Sequence, residues 1–122
     1  MFKQRLSYFV IALTFVSCGK SLPELQNIDL TAWQNDKHAC ADYRSKNIEL
    51  IRNQKEKLLA LKESQIISLL GRPDRNELYK RNQKFFFYDL EAGPACDTLS
   101  KEGLRLSIRF NAMGLAKEVA IE

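Results

Sequence analysis

The sequence predicts an α+β protein, with two N-terminal helices packed on one face of a three- to four-stranded antiparallel meander sheet. Three observations predict it. From Thr31 to about Lys57 apolar residues recur at helical spacing with no proline or glycine. Gly71 and Pro73 then stop a second helical stretch. Beyond Asp74 the period becomes alternating, most clearly where Leu104, Leu106, Ile108 and Phe110 are separated by Arg105, Ser107 and Arg109.

The chain opens with Lys3 and Arg5, then a short, mostly apolar run from Leu6 to Val16, and closes this segment with Phe15-Val16-Ser17-Cys18. A basic start, an apolar stretch of about 7–15 residues and a small residue at the junction describe a secretory signal peptide. A spanning helix needs about 20 apolar residues, and this run falls well short. A junction ending in cysteine is similar to a bacterial lipobox, in which the thiol takes a diacylglycerol and the preceding peptide is removed. Ser17 and Gly19 fit that pattern, whereas Phe15 stands where leucine or another aliphatic is usual, so cleavage without lipid is the rival reading. The expected organisation is a signal peptide over 1–17, a lipid-attached tether over 18–28 beginning at Cys18, and one domain over 29–122. Ser21, Pro23, Gln26 and Asn27 give the tether its irregular character.

Composition narrows the partners. The formal charge of +4 loses Lys3 and Arg5 with the signal peptide and falls to +2. That balance, together with export, argues against nucleic acid. Of the three cysteines, Cys18 is assigned to lipid, which leaves Cys40 and Cys96 as a pair. Outside the cytoplasm such a pair is expected to be oxidised. Closing a loop of about 57 residues contributes about 4 kcal/mol by the chain-entropy estimate. The plainer alternative is two unrelated buried thiols.

A first helix is expected to begin near Asp29 or Thr31, both good N-cap types. Trp33, Cys40, Tyr43, Ile48, Ile51 and Leu58 give it one apolar stripe, and the charged residues between them form a solvated face. A second helix is expected over about Lys62–Leu70, with Ile66, Ile67, Leu69 and Leu70 towards the core. Glu77–Tyr79 begins the sheet and turns through Arg81-Asn82-Gln83 into Phe85-Phe86-Phe87-Tyr88. Four successive aromatics place two rings on each face of a strand. Leu104–Phe110 follows, then a hairpin turn at Asn111-Ala112-Met113-Gly114, then a last strand marked by Leu115, Val119 and Ile121.

From Leu61 to about Ile121 the chain resembles the small outer-membrane lipoproteins of the SmpA/OmlA–BamE family. The resemblance rests on Leu70, Gly71 and Pro73, on the aromatic strand Phe85–Tyr88, and on Phe110 with Gly114 at a closing hairpin. Ala60-Leu61-Lys62 stands where the family has Gly-Met-Thr or something close, and the Cys40/Cys96 pair is not a general family feature. The resemblance implies an accessory role in outer-membrane protein assembly, and none of the family's binding residues lands on a distinctive residue of this chain.

Sites of chemistry are sparse. A zinc site from His38, Cys40 and Cys96 lacks a fourth ligand, and a disulfide removes two of the three, so His38 is expected as a surface residue of the first helix and no metal is expected. No nucleophile has a signature and no glycine-rich loop follows a strand, so neither an enzyme, a cofactor nor a small-molecule substrate is expected. Asp89 and Glu91 read as an exposed strand face. The plainer reading of the aromatic cluster Phe85–Tyr88 with Trp33 and Tyr43 is core and helix-to-sheet packing; the alternative is a partner surface of Phe86 and Tyr88 with Arg105 and Arg109, because aromatics and arginine are enriched where proteins meet. The expectation is a non-enzymatic lipoprotein on the periplasmic face of the outer membrane, serving a protein complex. The alternative is an envelope inhibitor or a small-ligand-binding lipoprotein.

Overall fold

A computed structural model describes residues 20–122. The segment expected to be a signal peptide, the expected lipid site Cys18, and Gly19 lie outside the described residues. Among the described residues no helix is long and apolar enough to cross a membrane.

The described residues form an α+β protein with four α-helices in the N-terminal half and a four-stranded antiparallel sheet. The single helix expected over 31–57 is instead a series of short pieces: α1 (Leu30–Asn35), a 3-10 turn (Lys37–Ala39), α2 (Tyr43–Lys46), α3 (Ile48–Gln54) and a second 3-10 turn (Lys55–Leu58). Asp29 caps α1 as expected, its Oδ1 accepting from the Thr31 and Ala32 N–H groups at 3.0 and 3.2 Å. Asp36 ends it. Its carboxylate accepts from the N–H groups of Ala41 at 2.6 Å and Arg44 at 2.9 Å, so it pulls the next stretch of backbone round itself. His38, Ala39 and Asp42 take positive φ angles of 57°, 57° and 66° to make that bend. The second predicted helix appears as α4 (Glu63–Leu70), within a residue of its expected start.

Gly71 ends α4 with φ 77°, a backbone region that side-chain-bearing residues avoid. A Cβ there would stand 2.9 Å from Gln34 Cγ. The close approach has a purpose: Gln34 Nε2 donates to the Leu69 carbonyl at 3.0 Å, satisfying an otherwise open end of α4. The Gly71 carbonyl in turn accepts from the Tyr88 hydroxyl at 2.7 Å, which ties the helix end to the sheet.

The strands are β1 (Arg75–Tyr79), β2 (Gln83–Asp89), β3 (Arg105–Phe110) and β4 (Ala116–Ile121), in the meander order β1-β2-β3-β4. The hairpin at Asn111–Leu115 forms as the sequence predicts, with Asn111 Oδ1 accepting from Met113 and Leu115 N–H groups. Register sets the faces. Phe86 pairs with Ile108 and Tyr88 with Leu106, and these four join Phe110, Trp33, Ile51, Leu58, Leu61 and Ile66 in one core. Phe85 pairs with Arg109 and Phe87 with Ser107, on the opposite face.

The stretch read as a tether is docked from Lys20 onward, which corrects that expectation. Leu25 and Ile28 are buried in the main core. Gln54 Nε2 donates to the Gln26 carbonyl at 2.8 Å, and Lys57 Nζ to the Glu24 carbonyl at 3.0 Å. The carbonyls left open by the 3-10 turn accept from Lys20 Nζ, at 2.6 Å for Lys57 and 2.9 Å for Leu59. Gln65 Nε2 donates to the Lys20 carbonyl at 2.6 Å.

Gly71→Ala is expected to lower folding stability by about 1–3 kcal/mol, because the backbone angle and the Gln34 approach are both lost. Urea denaturation measures it; an unchanged midpoint would contradict the role given to this glycine.

Candidate functional site

The helical half and the sheet meet at Arg44, which is 1% exposed, and Asp74, which is 3% exposed. Arg44 Nη1 donates to Asp74 Oδ2 at 2.6 Å and to the Asp89 carbonyl at 3.1 Å, while Nε donates to the Trp33 carbonyl at 3.1 Å. The guanidinium also lies over the Trp33 ring, 5.0 Å from its centre, and 5.9 Å from that of Tyr88. Asp74 is equally well occupied: Oδ1 accepts from the His38 N–H at 3.0 Å and Oδ2 from the Asp89 N–H at 2.7 Å. A buried pair is favourable only when its remaining donors and acceptors are met in this way. Neither residue was singled out from the sequence, where Arg44 reads as part of a solvated helix face.

Beside this pair the Cys40–Cys96 disulfide forms as expected, with its Cα atoms 5.5 Å apart. It fastens the β2–β3 connection to the turn that carries His38. His38 lies on that 3-10 turn rather than on a long helix, half-exposed, with Nδ1 3.2 Å from Asp89 Oδ2. A small cleft of about 120 Å³ opens here, lined by His38, Arg75, Asp89, Glu91, Pro94 and Glu102 among others.

His38, Asp74 and Asp89 bring three ligand-type atoms within 4.8 Å of one another. The electrostatics oppose a cation at that point. Asp74 is already neutralised by a guanidinium at 2.6 Å, and a divalent ion would have to share the same carboxylate against that charge. The cysteines once considered with His38 are bonded to each other. The chemistry of this corner is that of a structural junction.

The outward face of the sheet offers a different arrangement. Tyr79, Phe85 and Phe87 form a row: Tyr79 meets Phe85 edge-on at 5.8 Å, and Phe85 stacks on Phe87 at 5.8 Å with their planes 3° apart. The Arg105 guanidinium covers Phe87 at 4.0 Å and Arg75 approaches it at 5.9 Å. Arg109 stands beside Phe85, held by Glu118 Oε2 and Gln83 Oε1, each at 3.2 Å. The Arg109–Glu118 ion pair, like that of Arg105 with Glu122 at 3.6 Å, is partly exposed and worth little to stability, so its cation remains available to a partner. The result is an aromatic row flanked by arginines, in which Tyr79 is exposed, Phe85 half-buried, and Phe87 only 4% exposed beneath Arg105.

Of the predicted surface residues, Arg105 and Arg109 flank this row. Phe86 and Tyr88 do not: they face the helices and pack into the main core. The aromatic run was assigned with the wrong phase. Phe85 and Phe87 are the residues that share a face with the two arginines, and the apolar phase of Leu106, Ile108 and Phe110 carries the signal, once cross-strand register is known. Cys18 lies outside the described residues.

Burial pushes the Tyr88 phenol above its ordinary value near 10; Arg44 opposes that rise and Asp74 adds to it. A phenol whose folded-state pKa is raised stabilises the fold fully below the unfolded value, and the contribution is lost as pH climbs above about 10. Tyr88→Phe is expected to cost about 0.5–1.5 kcal/mol at neutral pH through the lost bond to Gly71. The gap to the natural protein should narrow above about pH 10, where burying an ionisable phenol becomes a liability. Denaturation midpoints across that range test both parts, and a gap that widens would refute the sign. Asp74→Asn is expected to lose about 3–5 kcal/mol by leaving Arg44 buried without its counter-charge. A loss below about 1 kcal/mol in urea denaturation would remove the pair from its central position.

No protein-family model, no curated protein and no solved structure matches this chain.

Proposed function

We propose that the protein is a lipoprotein anchored through Cys18 at the periplasmic face of the outer membrane, where it acts as a non-enzymatic accessory subunit of a protein complex. The anchor is supported by the basic, apolar and Ser17-Cys18 segments of the leader. An exported location accords with a disulfide between two exposed cysteines. Docking is supported by one observation above the rest: a sheet face carrying stacked Phe85 and Phe87 between Arg75, Arg105 and Arg109. Phenylalanine and arginine are both enriched where proteins meet, and arginine is among the residues that carry most binding energy there.

The cleft beside His38, at about 120 Å³, is smaller than the roughly 300–1,000 Å³ typical of small-molecule sites, which favours a binding role for the sheet over a ligand role for the cleft. Helices followed by an antiparallel meander, joined through Leu70-Gly71-Arg72-Pro73, accord with the resemblance to the SmpA/OmlA–BamE lipoproteins. An assembly role by that analogy is part of the proposal.

Cys18→Ser is expected to move the protein from the membrane fraction to the soluble fraction. A photo-reactive residue in place of Phe85 is expected to give cross-links to an outer-membrane protein component in intact cells, while one in place of Leu99 gives none. Retention of the Cys18→Ser protein in membranes would remove the anchor, and equal labelling from both positions would remove the row as the docking face.

A further inference from the structure

The docked N-terminal strap, together with the reading of Cys18 as the lipid anchor on which this inference rests, restricts how the domain can stand on a membrane. Backbone position is fixed from Lys20, whose ammonium and carbonyl are both engaged. Only Gly19 separates it from Cys18. Two Cα–Cα steps span at most about 7 Å, so the surface around Lys20 is held against the lipid with almost no slack.

Topology shows what else lies at that end. In an antiparallel meander the first and third turns fall at one end of the sheet and the second at the other. The β1–β2 turn (Lys80–Asn82) and the β3–β4 turn (Asn111–Leu115) therefore share an end. The strap and α4 are pinned there too. Lys20 docks on the Leu59 carbonyl, the next N–H, Ala60, donates to the Ala116 carbonyl at 2.8 Å, Lys62 bridges to Leu115, and Glu63 pairs with Lys84 at 2.9 Å.

The composition of this end differs from that of the other. It carries Lys20, Lys62, Lys80, Arg81 and Lys84; Glu63 is paired with Lys84 and Glu118 with Arg109, Glu77 stands beside Leu78 on β1, and Glu24 and Glu56 lie further along the strap and the 3-10 turn. It also carries the exposed apolar side chains Leu78 at 82% exposure and Met113 at 83%, with the half-exposed Tyr79; the β2–β3 connection at the other end exposes Leu99 at 93%. Basic residues interspersed with exposed apolar and tyrosine side chains match the polar-to-apolar gradient of a headgroup layer. The far end holds the β2–β3 connection clipped by the disulfide, where Asp89, Glu91, Asp97 and Glu102 offset Arg75, Lys101 and Arg105. The two ends are about 20 Å apart along β2 alone.

We infer that the end formed by Lys20, Lys62 and the two turns Lys80–Asn82 and Asn111–Leu115 is a lipid-facing tip. It seats on the bilayer that holds the Cys18 acyl chains and fixes the domain upright, with the disulfide loop pointing away. The occupant of this surface is the anionic and zwitterionic headgroup layer itself.

The test uses full-length lipidated protein in vesicles of phosphatidylethanolamine and phosphatidylglycerol. The native cysteines are acylated or bonded, so a fluorophore can be placed selectively on Met113→Cys, Leu78→Cys or Leu99→Cys. With brominated lipids, quenching at positions 113 and 78 is expected to exceed that at 99 several-fold. A flexible ten-residue glycine–serine spacer inserted between Gly19 and Lys20 adds a root-mean-square length of about 17 Å and is expected to flatten that contrast. Flotation of the same samples separates the two ideas. Protein that floats with equal quenching at all three positions overturns the tip and leaves the anchor standing. Protein that does not float overturns the anchor and the tip together. A contrast that survives the spacer overturns the strap as the device that sets orientation.

Discussion

The contact between Arg44 and Asp74 joins the helical half to the sheet at a buried polar point, where the geometry tolerates far less adjustment than the apolar core the two halves share. Arg44 comes from the short helices; Asp74 opens the sheet. Around them the accounting of polar groups is nearly complete. The guanidinium serves the Trp33 and Asp89 carbonyls as well as the carboxylate, and the carboxylate serves the His38 and Asp89 N–H groups. Burying two charges costs several kcal/mol for each ion, and that cost is recovered only at one relative placement of the halves. The pair therefore acts more as a gauge of correct docking than as a source of net stability. The Tyr88 hydroxyl on Gly71 and the Gln34 amide on Leu69 reinforce the same placement through neutral bonds.

That placement decides what the sheet shows to the outside. Because the helices cover Phe86, Tyr88, Leu106, Ile108 and Phe110, the alternate residues of the same strands are left on the other side. Most proteins put polar residues in such positions. Here Phe85 and Phe87 occupy them, protected from water by arginine stacking and by each other. The arrangement keeps an apolar strip usable without leaving it bare. It also explains why the cations beside it stay partly exposed and lightly paired.

The sequence was most informative where one local rule decided the outcome. The alternation of Leu106, Ile108 and Phe110 located β3, Gly71 and Pro73 located the end of α4, and the two cysteines left after Cys18 located the clip. It was least informative where a tertiary contact overrode a local one. The apolar spacing over 31–57 satisfies one helix and also satisfies three short ones; Asp36 chooses between them by accepting from Ala41 and Arg44, a choice invisible in periodicity. The four-aromatic run fits either phase, and only its pairing with β3 selects Phe86 and Tyr88 for the interior. Polar, irregular composition made Lys20–Ile28 look free, although Gln54, Lys57 and Gln65 hold its backbone from the other side.

Leu25 and Ile28 give this last segment a consequence for handling the protein. They complete a cluster otherwise built from α1, α3, the second 3-10 turn, α4 and the strands, so the segment before the first helix is part of the folding unit. A recombinant version trimmed at Asp29, the natural choice for anyone seeking a clean start at a helix cap, would discard two core side chains and the hydrogen bonds that close the 3-10 turn. Starting instead at Lys20 retains all of them.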